Sequence, residues 1–122
     1  MLYIDGSSGE TISSAFLVNH IMSFALDLDN RKCWLAQNGT YVNSGNPNTG
    51  ANETWTTSDI DANTPYVPAV AYYYASSKIG FNFGSSSQSI SSGNSDANGY
   101  GNFEYAVPTG FYAINTKNLA EF

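Results

Sequence analysis

Phe24-Ala25-Leu26-Asp27-Leu28-Asp29-Asn30-Arg31-Lys32, running on through Cys33-Trp34-Leu35-Ala36-Gln37 to Asn38-Gly39-Thr40, decides the fold class of this chain. Met22, Phe24, Leu26 and Leu28 alternate with Ser23, Ala25, Asp27 and Asp29, so a strand with a period of two sends the large apolar groups to one face. Such a strand is half buried, with its small and charged residues outward. Asp29-Asn30-Arg31 supplies a turn, because short polar side chains bond to nearby backbone, and Cys33 and Leu35 resume the alternation. Asn38-Gly39 marks a second hairpin, since both residues tolerate the positive φ of a type I′ turn. The strands read from the pattern are 2–5, 21–29, 32–37, 40–42, 66–74 and 78–83, with a loop over 7–14 and no helix of length.

With 122 residues the length suits one domain, 1–122. Two stretches lack a strand pattern. Residues 43–63 set Trp55 among Gly, Asn, Thr and Ser, and residues 84–101 are richer still in Ser, Gly and Asn, with Ile90 and Tyr100 as the large apolar groups. A segment of that composition buries too little surface to offset its own ordering entropy, so order there requires packing from elsewhere. Beyond it, 103–122 reads as a clasp in which Phe111, Ile114 and Leu119 strap the C-terminus over the sheet.

Further along, the order of motifs resembles a known family. "ALDLDN", Lys32, Trp34, Ala36 and Asn38-Gly39-Thr40, then Ser44-Gly45-Asn46-Pro47, Tyr66-Val67-Pro68-Ala69-Val70 and Phe81-Asn82-Phe83-Gly84, look like the C-terminal half of a SPRY domain. The likeness is greatest to SPRY-like modules of bacteriophage structural proteins, whose closing pattern is matched by Phe103, Tyr105, Pro108, Gly110, Phe111, Ala113, Asn115, Thr116, Asn118 and Leu119. The resemblance spans about residues 21–119 and implies an all-β, antiparallel β-sandwich of the concanavalin-like jelly-roll kind, lacking the family's N-terminal strands. Phe24, Leu26, Leu28, Trp34, Asn38, Gly39, Phe81, Phe83 and Gly84 are its structural motif residues. Either another chain supplies the upstream strands or a shorter sheet closes differently, and the first is favoured because an open strand edge invites pairing.

Chemistry is sparse. His20 is the sole histidine and Cys33 the sole cysteine, and neither sits in a nucleophile context, so no catalytic residue and no internal disulfide is expected. Cys33 reads as a small buried apolar group. Asp27 and Asp29 share a strand face, as the carboxylates of a glycoside hydrolase would, yet their place at a turn favours capping. Asp59 and Asp61 lack the rest of a calcium loop, leaving no metal and no cofactor expected. A net charge of −6 with four cations, Arg31, Lys32, Lys78 and Lys117, argues against nucleic acid. No apolar run spans a membrane and no secretory signal is visible.

What remains is recognition through aromatics and neutral polar groups. Trp55 and Tyr100, in polar loops, and Tyr74, ending a strand, are the binding candidates, with Trp55 and Tyr100 equally readable as loop anchors. SPRY domains as a family are non-enzymatic interaction modules, so the resemblance implies a virion structural protein, such as a capsid decoration, tail or fibre-associated subunit made in the host cytoplasm. Its partners are other virion proteins or copies of itself in an oligomeric assembly. A carbohydrate-binding adhesin is the alternative and expects Trp55 or Tyr100 exposed beside Asn and Asp; a glycoside hydrolase ranks below both.

Overall fold

The computed structural model describes residues 3, 4, 7, 8, 17–56, 58, 60, 61, 63–70, 76 and 78–121. A short antiparallel pair joins β1 (Tyr3–Ile4) to β2 (Ser7–Ser8). The main sheet is antiparallel and three-stranded, in the order β3 (Met22–Asp27), β4 (Lys32–Gln37) and β5 (Thr40–Tyr41). Two 3-10 turns, Val42–Ser44 and Asn118–Ala120, are the helical elements among the described residues. The described architecture is therefore β, with antiparallel pairing throughout.

Local chemistry accounts for both hairpin turns. Between β3 and β4, Asp27 caps the bend: Oδ1 accepts from the Asn30 amide at 2.9 Å and Oδ2 from Asn30 Nδ2 at 2.8 Å. Between β4 and β5, Asn38 and Gly39 both take positive φ, 48° and 79°, as the type I′ reading requires. Asn38 also extends the first hairpin, donating its amide to the Ile21 carbonyl and accepting from the Ile21 amide on Oδ1.

β4 is the centre of the fold. One edge pairs with β3 along six residue pairs, from Met22↔Gln37 to Asp27↔Lys32. The other edge pairs with β5 and then with a bridge at Trp55, where Cys33 and Trp55 exchange backbone hydrogen bonds of 3.1 Å and Thr54 Oγ1 accepts from the Leu35 amide. Both faces of β4 are covered, so Cys33, Trp34, Leu35 and Ala36 are all buried. On one face Cys33 and Leu35 pack with Trp55 and Ile60, flanked by Met22, Val42 and Tyr66. On the other, the Trp34 indole donates from Nε1 to the Ala51 carbonyl at 2.9 Å and meets the edge of Phe111 at 6.0 Å.

Several expectations change. The pairing places Phe24 and Leu26 on the same face as Leu35 and Cys33, but Trp55 and Ile60 cover β4 rather than β3. Phe24 is therefore 58% exposed, Leu26 and Leu28 are exposed, and Ala25 is the buried residue of β3. Residues 7–14 were expected as a loop, yet Ser7–Ser8 is paired with β1; residues 9–14 lie outside the described residues. The expected strand 78–83 does not form, and 66–70 of the expected strand 66–74 carry no strand pairing, while 71–75 and 77 lie outside the described residues. Pro68 removes a ladder donor from 66–70. Ile114 and Leu119 are 71% and 76% exposed, so the C-terminal segment is not held by their burial, and Phe111 alone of the three packs on the sheet.

Candidate interaction surface

The outer edge of β3 is left open by the described residues. No strand among the described residues pairs with it, so the backbone groups pointing away from β4 have no ladder partner among them. Beside that edge Phe24 stacks on Trp55, with centroids 6.5 Å apart and planes 17° from parallel, and its other side is exposed. Phe24 and Leu26 thus form an apolar strip along that edge, and Leu28 extends it into the turn. Exposed apolar groups in a row along an unpaired strand are the signature of a protein contact.

A second exposed apolar run follows at Ile79, Phe81 and Phe83. The Phe81 and Phe83 rings stack at 5.8 Å, which places residues two apart on one side, as in a strand. Gly84 follows at φ 115°, where an added Cβ would meet Asn115, the Gly101 backbone and Ala113 at 3.2 to 3.4 Å. Only glycine lets these three segments approach so closely.

The polar loops are tied down by hydrogen bonds rather than apolar burial. Asp96, 6% exposed, receives four donors: the Asn98 and Tyr100 amides on Oδ1, and the Ala113 amide and Asn118 Nδ2 on Oδ2. Burial alone would raise this carboxyl, but those four donors outweigh it and hold the acid below its ordinary range. Asn94 and Phe103 exchange backbone bonds of 2.8 Å and close a hairpin around Asp96. Below it, Glu104 accepts from the Ser91 hydroxyl and amide and from the Ser92 hydroxyl. The Ser-, Gly- and Asn-rich stretch 84–101 is consequently ordered against 103–121, and the packing its composition demands is polar.

The individual candidates separate. Trp55 is 3% exposed and bridges to Cys33, so it is the loop anchor and not a contact ring; its indole Nε1 is buried without a hydrogen-bond partner. Tyr74 lies outside the described residues. Tyr100 is half-buried, with Lys117 Nζ 5.5 Å above its ring and its hydroxyl donating to Glu121 Oε1 at 3.3 Å. It stands beside Asn98 and Asn118, but its ring face and hydroxyl already have partners in the same chain.

Trp34, Asn38 and Gly39 sit at the centre of the sheet and its turn, where an added Cβ on Gly39 would be 2.7 Å from the Tyr105 ring. Asp27 spends both oxygens on Asn30, and Asp29 lies in the turn rather than on the strand. Asp61 caps its own loop, accepting from the Asn63 amide and the Thr64 hydroxyl, and Asp59 lies outside the described residues. No group of three metal-ligating side chains occurs among the described residues. His20 Nδ1 lies 2.7 Å from Gln37 Nε2.

Reading the sequence missed Ile60, which is 1% exposed and caps the core beneath Trp55. It also missed Asp96 and Asn118, whose burial becomes visible only when residues 22 apart meet. The signal for Asp96 was local: Asp-Ala-Asn-Gly is a turn sequence whose first residue accepts from the amides that follow. No described helix is long and apolar enough to cross a membrane. Set beside known protein families, characterised proteins and solved structures, the chain matches none of them.

Proposed function

We propose that this chain is a non-enzymatic structural subunit of a bacteriophage particle, such as a capsid decoration, tail or fibre-associated protein. It binds other virion proteins or copies of itself through a strand edge and its polar loops, within a SPRY-like sandwich that neighbouring strands complete. The observation that carries the reading is the outer edge of β3, unpaired among the described residues and lined by exposed Phe24 and Leu26, with exposed Leu28 in the turn beyond. An edge of that kind is blunted in a monomer by charge, proline or a covering segment, and the apolar strip here does the opposite. The phage assignment rests on the motif order running from the ALDLDN strand to the closing segment at 103–119.

Static light scattering on the purified chain at neutral pH tests it. A defined oligomer, or a mass that grows with concentration, is the expected result. A stable monomer at high concentration overturns it, and glycan binding by that monomer would put the adhesin reading in its place.

A further inference from the structure

Two parts of this chain have the form of strands that want a partner, and they fit each other. The first is the outer edge of β3, with Met22, Phe24 and Leu26 on one side and Ser23 and Ala25 on the other. The second is the unpaired run at 78–83, where Ile79, Phe81 and Phe83 alternate with Gly80 and Asn82 and where the two Phe rings already lie on one side. Within one copy this run is drawn elsewhere: Asn82 Nδ2 donates to the Asn102 carbonyl at 2.8 Å, fixing it to the 94–103 hairpin, and Asn82 Oδ1 accepts from the Gly84 amide.

Resting on the reading of β3 as an edge completed by another chain, we propose that the occupant of that edge is residues 78–83 of a second copy, added as an antiparallel strand. One register satisfies every position. Phe24 opposes Phe81, and the pairs on either side are Leu26 with Ile79 and Met22 with Phe83, so all six large apolar groups share one face. On the opposite face Ala25 meets Gly80 and Ser23 meets Asn82, small and polar against small and polar. Asp27 then stands across from Lys78, opposite charges directly paired at the end of the ladder. Shifting the register by one residue turns the apolar groups of one strand to the wrong face, and shifting it by two removes the Asp27–Lys78 pair.

Charge supports this occupant over a second β3. Each copy carries −6, so two acidic copies repel at long range, and a contact that brings one of the chain's four cations to a carboxylate offsets part of that repulsion. Donor and acceptor are different surfaces of the molecule, which makes the contact heterologous. Repeated from copy to copy it closes into a ring or extends as a filament, unless two copies exchange their donors reciprocally.

The test uses the full chain as two single-cysteine-added variants, Phe24→Cys and Phe81→Cys, mixed in equal amounts and oxidised, with the buried Cys33 left in place. The proposal expects a disulfide joining position 24 of one chain to position 81 of the other, identified by peptide mass, at several times the yield of 24–24 or 81–81 links. An oligomer by light scattering with 24–24 as the main link, or with no link, overturns the strand assignment while leaving the proposed function standing. A monomer with no link overturns both. Charge reversal on the donor strand alone gives a second readout that leaves the Asp27 turn cap in place. Lys78→Asp should weaken self-association by roughly two- to fivefold, and Lys78→Arg should leave it unchanged. Self-association unaffected by Lys78→Asp contradicts the register.

Discussion

Asn118 Nδ2 donates to Asp96 Oδ2 at 2.7 Å, and this bond joins the 94–103 hairpin to the C-terminal segment of the chain. Asn118 completes the junction from both sides. Its Nδ2 also donates to the Ala113 carbonyl at 2.8 Å, and its Oδ1 accepts from Asn98 Nδ2 at 2.9 Å. A region with little apolar burial is thus held by a polar knot in which the buried Asp96 and Asn118 satisfy each other.

Asn118→Ala should therefore be costly for a residue of its size. It leaves a buried Asp96 oxygen short of one donor and strips a partner from the buried Ala113 carbonyl, and it also releases the exposed Asn98 side chain. A loss of about 2–3 kcal/mol is expected from unsatisfied groups of this kind. Chemical denaturation followed by tyrosine fluorescence would measure it, and a loss below about 0.5 kcal/mol would mean the knot is not structural.

Acid should loosen the same region. Asp96 sits below its ordinary value of 3.8, its four donors outweighing burial, and Glu104 sits below 4.5 because the Ser91 hydroxyl and amide bond to it. Both acids have a folded pKa depressed relative to the unfolded chain, so the unfolded state takes up protons first as pH falls. Their stabilisation is complete above the ordinary values and is lost as pH drops through the depressed folded ones. Thermal unfolding should show constant stability near neutrality and a decline beginning below about pH 4.5, shallower in Asp96→Asn.

Gly39 answers to a single ring. It holds φ at 79°, and an added Cβ would stand 2.7 Å from Tyr105 Cδ1. Gly39→Ala should cost about 2 kcal/mol, part from the left-handed backbone and part from the clash. In a Tyr105→Ala background the clash is gone and about 1 kcal/mol should remain. Equal costs in the two backgrounds would show that the ring moves aside freely.

Cys33 should be inert while the chain is folded. Burial pushes its thiol from 9.0 up to about 12, which lowers the thiolate fraction at neutral pH by roughly a thousandfold. Alkylation of the native protein should be slow and accelerate sharply in denaturant, and rapid native labelling would place the side chain outside the core.

The parts of this fold that were legible in the sequence are those fixed by contacts between near neighbours. The β3–β4 hairpin follows from the alternation through Met22–Asp27 and from Asp27 capping Asn30, and the β4–β5 turn follows from Asn38-Gly39. Burial of Cys33 followed from the same alternation, which β4 exceeds because both of its faces are covered. Which face of β3 would be covered was not legible, since alternation marks an apolar face without saying what lies against it. Trp55 and Ile60 arrive from a loop about twenty residues later and settle on β4, leaving Phe24 outward. The expected strand at 78–83 rested on local pattern, and a strand needs a partner edge that no local pattern supplies. Of the binding candidates, Trp55 became an anchor because its backbone bridges Cys33. The polar knot stayed hidden because its bonds join residues far apart in the chain.

Amide hydrogen exchange along Met22–Asp27, measured on concentrated and then on dilute protein, tests most directly whether another chain covers the β3 edge. The amides of β3 that point away from β4 should exchange slowly in the concentrated sample and rapidly on dilution, while those bonded to β4 stay slow in both. Rapid exchange of the outward amides at every concentration would contradict the account.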